Sequence, residues 1–341
     1  MADQYSTEAS QAHMVDLTSR VGVVVIGRNE GQRLIKCLES LAPSDCPIIY
    51  VDSASTDGSP AAAQSRGAIV HPLDLGKPFT AARARNEGFA KLKDVDSDVT
   101  YVLFVDGDCE VEPDWIATAA RFLNENINVA AVCGRRKERF PDASIYNQLC
   151  DREWNTPIGE SAACGGDVLM RVDSFEAAGG YDSTMIAGEE PELCGRLRDQ
   201  GLKIWRIDAP MTVHDAAMLH FRQWWLRAVR SGFGYAQVWA TSRSTSDPLY
   251  GREIFRALFW ALALPLGGLI AGLFNPIFWL LLPVIYLVQI CRMAIRSGPG
   301  QIISWQAALL MMVGKFGELA GIFRFAKRTL QKQQGGTIFY K

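Results

Sequence analysis

The chain has 341 residues, enough for two average domains or one large α/β domain with an appendage, and too long for a small disulfide scaffold. Its apolar (48%) and charged (21%) fractions lie near globular averages, which excludes wholesale disorder and a polytopic membrane protein throughout its length. The formal charge of −2 hides a division: residues 252–341 hold ten Lys and Arg against Glu253 and Glu318, leaving −10 on residues 1–251, a distribution that argues against nucleic acid as a partner of the body.

In chain order, residues 1–19 are polar, lack the basic start and apolar core of a signal peptide, and read as a flexible N-terminus. The eight cysteines are scattered without CxxC spacing, so they read as buried reduced thiols in a reducing compartment. VGVVVI at 21–26 predicts a strand buried on both faces. A polar loop at 27–31 follows, then an amphipathic helix over 31–41 carried by Leu34, Ile35, Leu38 and Leu41. A second strand at 48–51 ends in Asp52. Apolar strands alternating with helices imply a parallel or mixed sheet, whose ligands bind beyond the carboxyl ends of the strands. The polar residues after each strand are therefore the first candidates. DSASTDGS at 52–59 suits a turn and a helix cap as well as a ligand loop. A helix near 80–92 carries Arg83, Arg85 and Asn86, with Lys77 just before it; such cations are usually solvated, but near acidic strand ends they would meet an anionic ligand.

The strongest local signal is YVLFV at 101–105 running into Asp106, Gly107 and Asp108. On an extended backbone side chains alternate, so both carboxylates point the same way, with a glycine between them that permits close approach. Adjacent carboxylates repel unless a cation neutralises them, and a hard divalent ion, Mg²⁺ or Mn²⁺ held on a diphosphate, answers that need.

VVVIGRNE (23–30), VDSASTDG (51–58), ARNEG (84–88), FVDGD (104–108), GGYD (179–182) and GEEPEL (188–193) occur in this order, and with them the chain resembles the family 2 glycosyltransferases over about residues 20–235. The resemblance implies a GT-A fold, a Rossmann-like mixed sheet flanked by helices, and inverting transfer of a sugar from a nucleotide-diphosphate donor to an acceptor hydroxyl. It places Arg28, Asn29 and Glu30 beside the donor pocket, Asp52 and Asp57 at base and ribose, Arg85 and Asn86 beside the nucleotide, and Asp106 and Asp108 on ribose and metal. His214, after the extended stretch 203–213, falls where relatives often hold a metal ligand. Glu190 takes the position of the base, with Glu189 beside it. The family usually has aspartate there, so the carboxylate sits one methylene farther out. Pro191 suits a first helical position, which would make Glu190 the N-cap of the following helix. Gly165, Gly166, Asp167, Glu189, Trp224, Trp225 and Arg227 are expected to border the acceptor. The processive synthases of this family carry QxxRW; QWWLRA at 223–228 departs from it, which favours single addition over polymerisation.

The tail is apolar. The segment 254–274, interrupted only by Arg256, is about 31 Å long as a helix, enough to cross a bilayer. NP at 275–276 signals a turn before the uncharged run 277–291, which is short for a span and leaves a re-entrant hairpin open. Arg252 and Arg256 on one side and Arg292 and Arg296 on the other would keep both ends of the hairpin in the cytoplasm. Beyond it, 302–313 is apolar and is followed by Lys315, Arg324, Lys327 and Arg328 interleaved with phenylalanines, the pattern of an amphipathic helix at a membrane surface. The expected domains are a catalytic body at 20–245, a membrane-associated region at 246–330 and a tail at 331–341. The expected partners are a nucleotide-sugar donor, membrane lipids and a lipid-linked acceptor at the inner membrane. Two rival readings are a synthase charging polyprenyl phosphate directly and a catalytically idle nucleotide-sugar-binding scaffold subunit.

Overall fold

A computed structural model describes residues 20–243, 245 and 247–331. The terminus at 1–19 and residues 332–341 of the tail lie outside the described residues. The chain divides into two compact units: residues 20–139 with 151–216, and residues 140–150 with 217–331.

The first unit is built on one mixed sheet. Its strands are β1 (Val21–Gly27), β2 (Ile48–Asp52), β3 (Ile69–Pro72), β4 (Tyr101–Asp106), β5 (Cys109–Val111), β6 (Val129–Glu138), β7 (Gly159–Glu160), β8 (Val168–Arg171) and β9 (Lys203–His214). They lie in the order β3-β2-β1-β4-β8-β6-β9-β5, with β7 paired to β9. β1 pairs parallel with β2 and β4, and β2 with β3, whereas β8 is antiparallel to both β4 and β6. The parallel half needs crossover helices, and these are α1 (Gln32–Leu41), α2 (Ser59–Gln64) and α3 (Ala81–Val95). Because helices cover both faces, alternate residues of one strand enter different cores. Val23 and Val25 pack with Leu34 and Leu38 of α1, while Val24 and Ile26 pack with Ala84 and Leu92 of α3. Gly88 of α3 has no room for a side chain: a Cβ there would lie 2.4 Å from Val24. This sheet end aims the carboxyl ends of β1, β2 and β4 to one side, as the apolar runs predict.

The DxD stretch departs from expectation. It is not one extended segment, because β4 ends at Asp106 and a turn at Gly107 and Asp108 leads into β5, which pairs antiparallel with the end of β9. Cys109 thereby comes opposite His214. All eight cysteines are free thiols, six of them buried, as their spacing suggests.

The second unit is helical: α8 (Phe221–Ser242), α9 (Gly251–Leu258), a π-helical turn at Phe259–Ala263, α10 (Leu264–Phe274), α11 (Ile277–Arg296) and α12 (Ile302–Leu330). Besides residues 140–150, it takes in the chain from Ala217 onward, earlier than the expected boundary at 245, because α8 packs on α12. That packing needs small residues: a Cβ on Gly232 would lie 2.0 Å from the Glu318 carbonyl oxygen, and one on Gly321 2.0 Å from that of Val229. Three helical segments, Gly251–Phe274, Ile277–Arg296 and Ile302–Leu330, are long and apolar enough to cross a membrane. The second of them runs past the 15-residue uncharged stretch to Arg296, and the third is continuous through the basic stretch that reads in sequence as a surface helix.

Candidate active site

The site grows from the strand ends. Asn29, after β1, adopts φ +55° and clasps the loop beyond β2: its N–H donates to Ser55 Oγ (2.9 Å), and its Oδ1 accepts from the Thr56 N–H (2.7 Å). Asp52 is buried at the end of β2 and accepts from the Tyr50 hydroxyl (3.1 Å) and the Ser55 N–H (3.0 Å). Asp57 is exposed and accepts from the Ser59 N–H and hydroxyl. The Arg28 guanidinium lies over the Phe79 ring at 5.8 Å, and Glu30 pairs with Arg33 at 2.6 Å. The candidate donor residues of β1 and β2 are thus gathered into one pair of interlocked loops.

The cations of α3 are used internally. Arg83 is buried, pairs with Glu87 and donates to the carbonyls of Asp74, Lys77 and Pro78, so it organises the preceding loop. Asn86 donates to the Tyr181 carbonyl and the Ser183 hydroxyl and accepts from the Tyr181 N–H, pinning the 181–183 loop. Arg85 is the central piece. Buried, with its guanidinium 5.5 Å from the Tyr181 ring centre, it donates to Asp106 Oδ1 and to Glu189 Oε1, each at 2.8 Å. The neighbouring carboxylates hold this buried guanidinium charged despite the cost of desolvation. Arg85 therefore joins the first aspartate of DxD to the glutamate pair, and Glu189 faces α3 through it. A Cβ on Gly166 would lie 2.8 Å from both Arg85 Nη2 and Asp106 Oδ2, so glycine is required where that loop crosses the pair.

Asp167 differs from its expected place at the acceptor. It is fully buried; Oδ1 accepts from the Asp106 N–H (3.0 Å), and Oδ2 accepts from the Thr212 hydroxyl (2.9 Å) and lies 2.9 Å from Arg136 Nη2. It anchors the backbone of the DxD turn rather than lining a surface.

Asp108 and His214 face each other, Oδ1 to Nε2 at 3.2 Å, both buried. With the Cys109 thiol their ligand atoms all lie within 4.8 Å of one another. The other ring nitrogen, His214 Nδ1, is buried without a hydrogen-bond partner among the described residues, and the Trp154 ring packs edge-on at 4.8 Å. A carboxylate and an imidazole suit a divalent ion such as Mn²⁺. The Cys109 thiol suits it less: burial first, then the Asp167 and Asp108 charges, push its proton affinity well up, which keeps it a thiol. Asp106 is outside this group because its carboxylate is engaged by Arg85.

Glu190 is buried in the first turn of α7 (Glu189–Asp199). The helix starts two residues earlier than Pro191 suggests, with Gly188 as N-cap at φ +84° and Glu190 inside the helix. Proline is tolerated at the third position because the first N–H groups have no intrahelical partner. Glu190 Oε1 accepts from the Cys164 N–H (2.5 Å) and the Cys194 thiol (2.9 Å). Burial raises its proton affinity above the usual glutamate range, and the Glu189 charge adds to this, while the Cys194 thiol and the Cys164 and Gly165 amides oppose it. Desolvation thus outweighs the helix dipole, which by itself favours the charged form.

The remaining acceptor candidates belong to the second unit. Trp224 is buried, stacks on Tyr146 at 6.1 Å and packs against Phe221; Gly317 of α12 lies against Trp225 and Ala228. Arg227 is half-buried on the same helix.

Residues 22–177 match the sequence pattern described as glycosyl transferase family 2. Over this stretch, a little under half of its length, the chain is similar to that family. The succinoglycan biosynthesis protein ExoA of Rhizobium meliloti (strain 1021) is 30% identical over 217 residues, covering 58% of this chain and 64% of ExoA, so the chain spans just under two thirds of that relative. The mannosyltransferase PcManGT from Pyrobaculum calidifontis, solved in complex with GDP-Man and Mn²⁺, superposes with a TM-score of 0.64 over 92% of this chain and 88% of its own, at 19% identity. That likeness establishes the GT-A fold.

Proposed function

We propose that the family 2 domain transfers a glycosyl unit, with inversion, from a nucleotide-diphosphate sugar to the hydroxyl of a lipid-linked saccharide, in surface polysaccharide or glycolipid assembly. The acceptor oxygen attacks the anomeric carbon while Glu190 takes its proton; the bond to the diphosphate oxygen breaks, and the electron pair leaves with the nucleoside diphosphate. A divalent ion, Mg²⁺ or Mn²⁺, when bound by Asp108 and His214 beside Asp106, would stabilise the charge on that leaving group. Arg28, Asn29, Glu30, Asp52 and Asp57 would contact the nucleotide. Arg85 and Asn86 would hold the pocket's walls, and Gly165 and Gly166 would leave room for the acceptor.

The observation that carries this reading is the Arg85 bridge, which ties the DxD turn to the helix start bearing Glu190. Metal-dependent release of nucleoside diphosphate, tested across nucleotide sugars with purified protein, checks it, and the anomer formed, read by NMR, checks inversion. Full activity in Glu190→Gln would remove that residue as base. The apolar segments of the second unit support an inner-membrane anchor with the catalytic body in the cytoplasm, where arginines flank the helices. Trp224, Trp225 and Arg227 then belong to a unit that would receive the lipid acceptor. Two further assays separate the rivals: transfer to polyprenyl phosphate alone would favour the synthase reading, and calorimetric donor binding without turnover on any acceptor would favour the scaffold.

A further inference from the structure

Glu190 has a partner that its role as base does not by itself require. Cys194 lies four residues on, one turn along α7, and its buried thiol reaches Glu190 Oε1 at 2.9 Å, the same oxygen that accepts from the Cys164 N–H. The side chain is fully enclosed, so the thiol donates in a place without competing water, where even a weak donor counts.

We propose that Cys194 is a positioning residue for catalysis: its thiol orients the Glu190 carboxylate and stabilises its ionised form. The inference rests on the reading of Glu190 as base. The groups around that carboxylate are few. Glu189 on the same helix repels the ionised form, and Arg85 of α3 offsets Glu189 through their ion pair. From the loop before β8 come the amides of Cys164 and Gly165, with the Cys164 thiol next to both Cys194 and Cys133 of β6. From the loop before α7 comes Tyr181, whose buried hydroxyl has no hydrogen-bond partner among the described residues. Among the side chains of this group Cys194 is the one that donates directly to the carboxylate. Removing it leaves burial and Glu189 opposed by backbone amides alone, so the base would hold its proton to higher pH.

The test is the pH dependence of kcat for donor turnover, measured in reductant with the full-length protein in detergent. In Cys194→Ala the acid limb should move to higher pH by about half to one unit, a loss of roughly threefold to tenfold on the acid side with little change on the alkaline plateau. KM for the donor should stay unchanged, and Cys194→Ser, which restores a donor, should return the limb toward its original place. A uniform fall at all pH values, with the limb unmoved, would reduce Cys194 to packing and overturn the inference. Glu190→Gln, assayed alongside, separates the two failures: full activity there sinks the base assignment itself, whereas an inactive Glu190→Gln with an unmoved limb in Cys194→Ala sinks only the role of the thiol.

Discussion

The two units solve opposite problems. In the first, the apolar residues are inside and charge is buried with them: Arg85, Asp106, Glu189, Arg136 and Asp167 form ion pairs at the sheet end, and Glu190 sits beside them in a first turn. In the second, apolar side chains face outward; Leu273 and Phe274 are 75% and 87% exposed, and the α11 face includes Trp279, Leu280 and Val288. A water-soluble fold does not expose a continuous apolar surface of that size, so one chain is adapted to two solvents. Burying charge is costly unless it is paired and hydrogen-bonded, and the first unit meets that cost with ion pairs at its sheet end.

The sharpest break of that contrast is at Asp108. Asp108→Ala should lower turnover about 10³-fold, as should chelation of divalent ions, both read as nucleoside diphosphate release. If activity survives, the buried charges of the first unit are structural.

Glu190→Gln should lower turnover about 10²- to 10⁴-fold with donor binding intact by calorimetry. It should also stabilise the protein at alkaline pH. Burial raises the folded-state proton affinity of Glu190, so its favourable contribution is full below the ordinary glutamate range and is lost as pH rises through the raised folded value. The gain in melting temperature of Glu190→Gln should therefore be greatest at pH 8 and fade toward pH 4. A gain independent of pH would contradict that cause.

In the second unit the expected effects are on stability. Gly321→Leu must part α12 from α8 and should cost about 1–3 kcal/mol or more, seen as a lower melting temperature in detergent. Smallest, in the first unit, is Asn86→Ala, which frees the 181–183 loop and should cost about 1–3 kcal/mol at most, with a higher KM for the donor if that loop shapes the pocket.

Much of the site is legible in sequence because it follows strand ends. Asp52, Asp106 and Asp108 are readable from apolar runs ending in acid, and His214 only through the resemblance to the family 2 glycosyltransferases. Arg136, Thr212 and Trp154 are not readable: each reaches the site by long-range pairing or packing, and no local pattern distinguishes it. Cys194 is an intermediate case, since the i, i+4 spacing to Glu190 is visible but its meaning depends on burial.

The sequence alone determined the α/β class, the order of the motifs and the apolar tail, because strand burial, helix periodicity and span length are local properties of a chain. Only the tertiary structure decided that Asp167 lies beneath the DxD turn instead of at the acceptor, that Arg85 links Asp106 to Glu189, and that Glu190 is buried inside its helix rather than capping it. Those roles depend on which side chains meet across a sheet and how much water is excluded around them, and neither quantity is carried by any one segment.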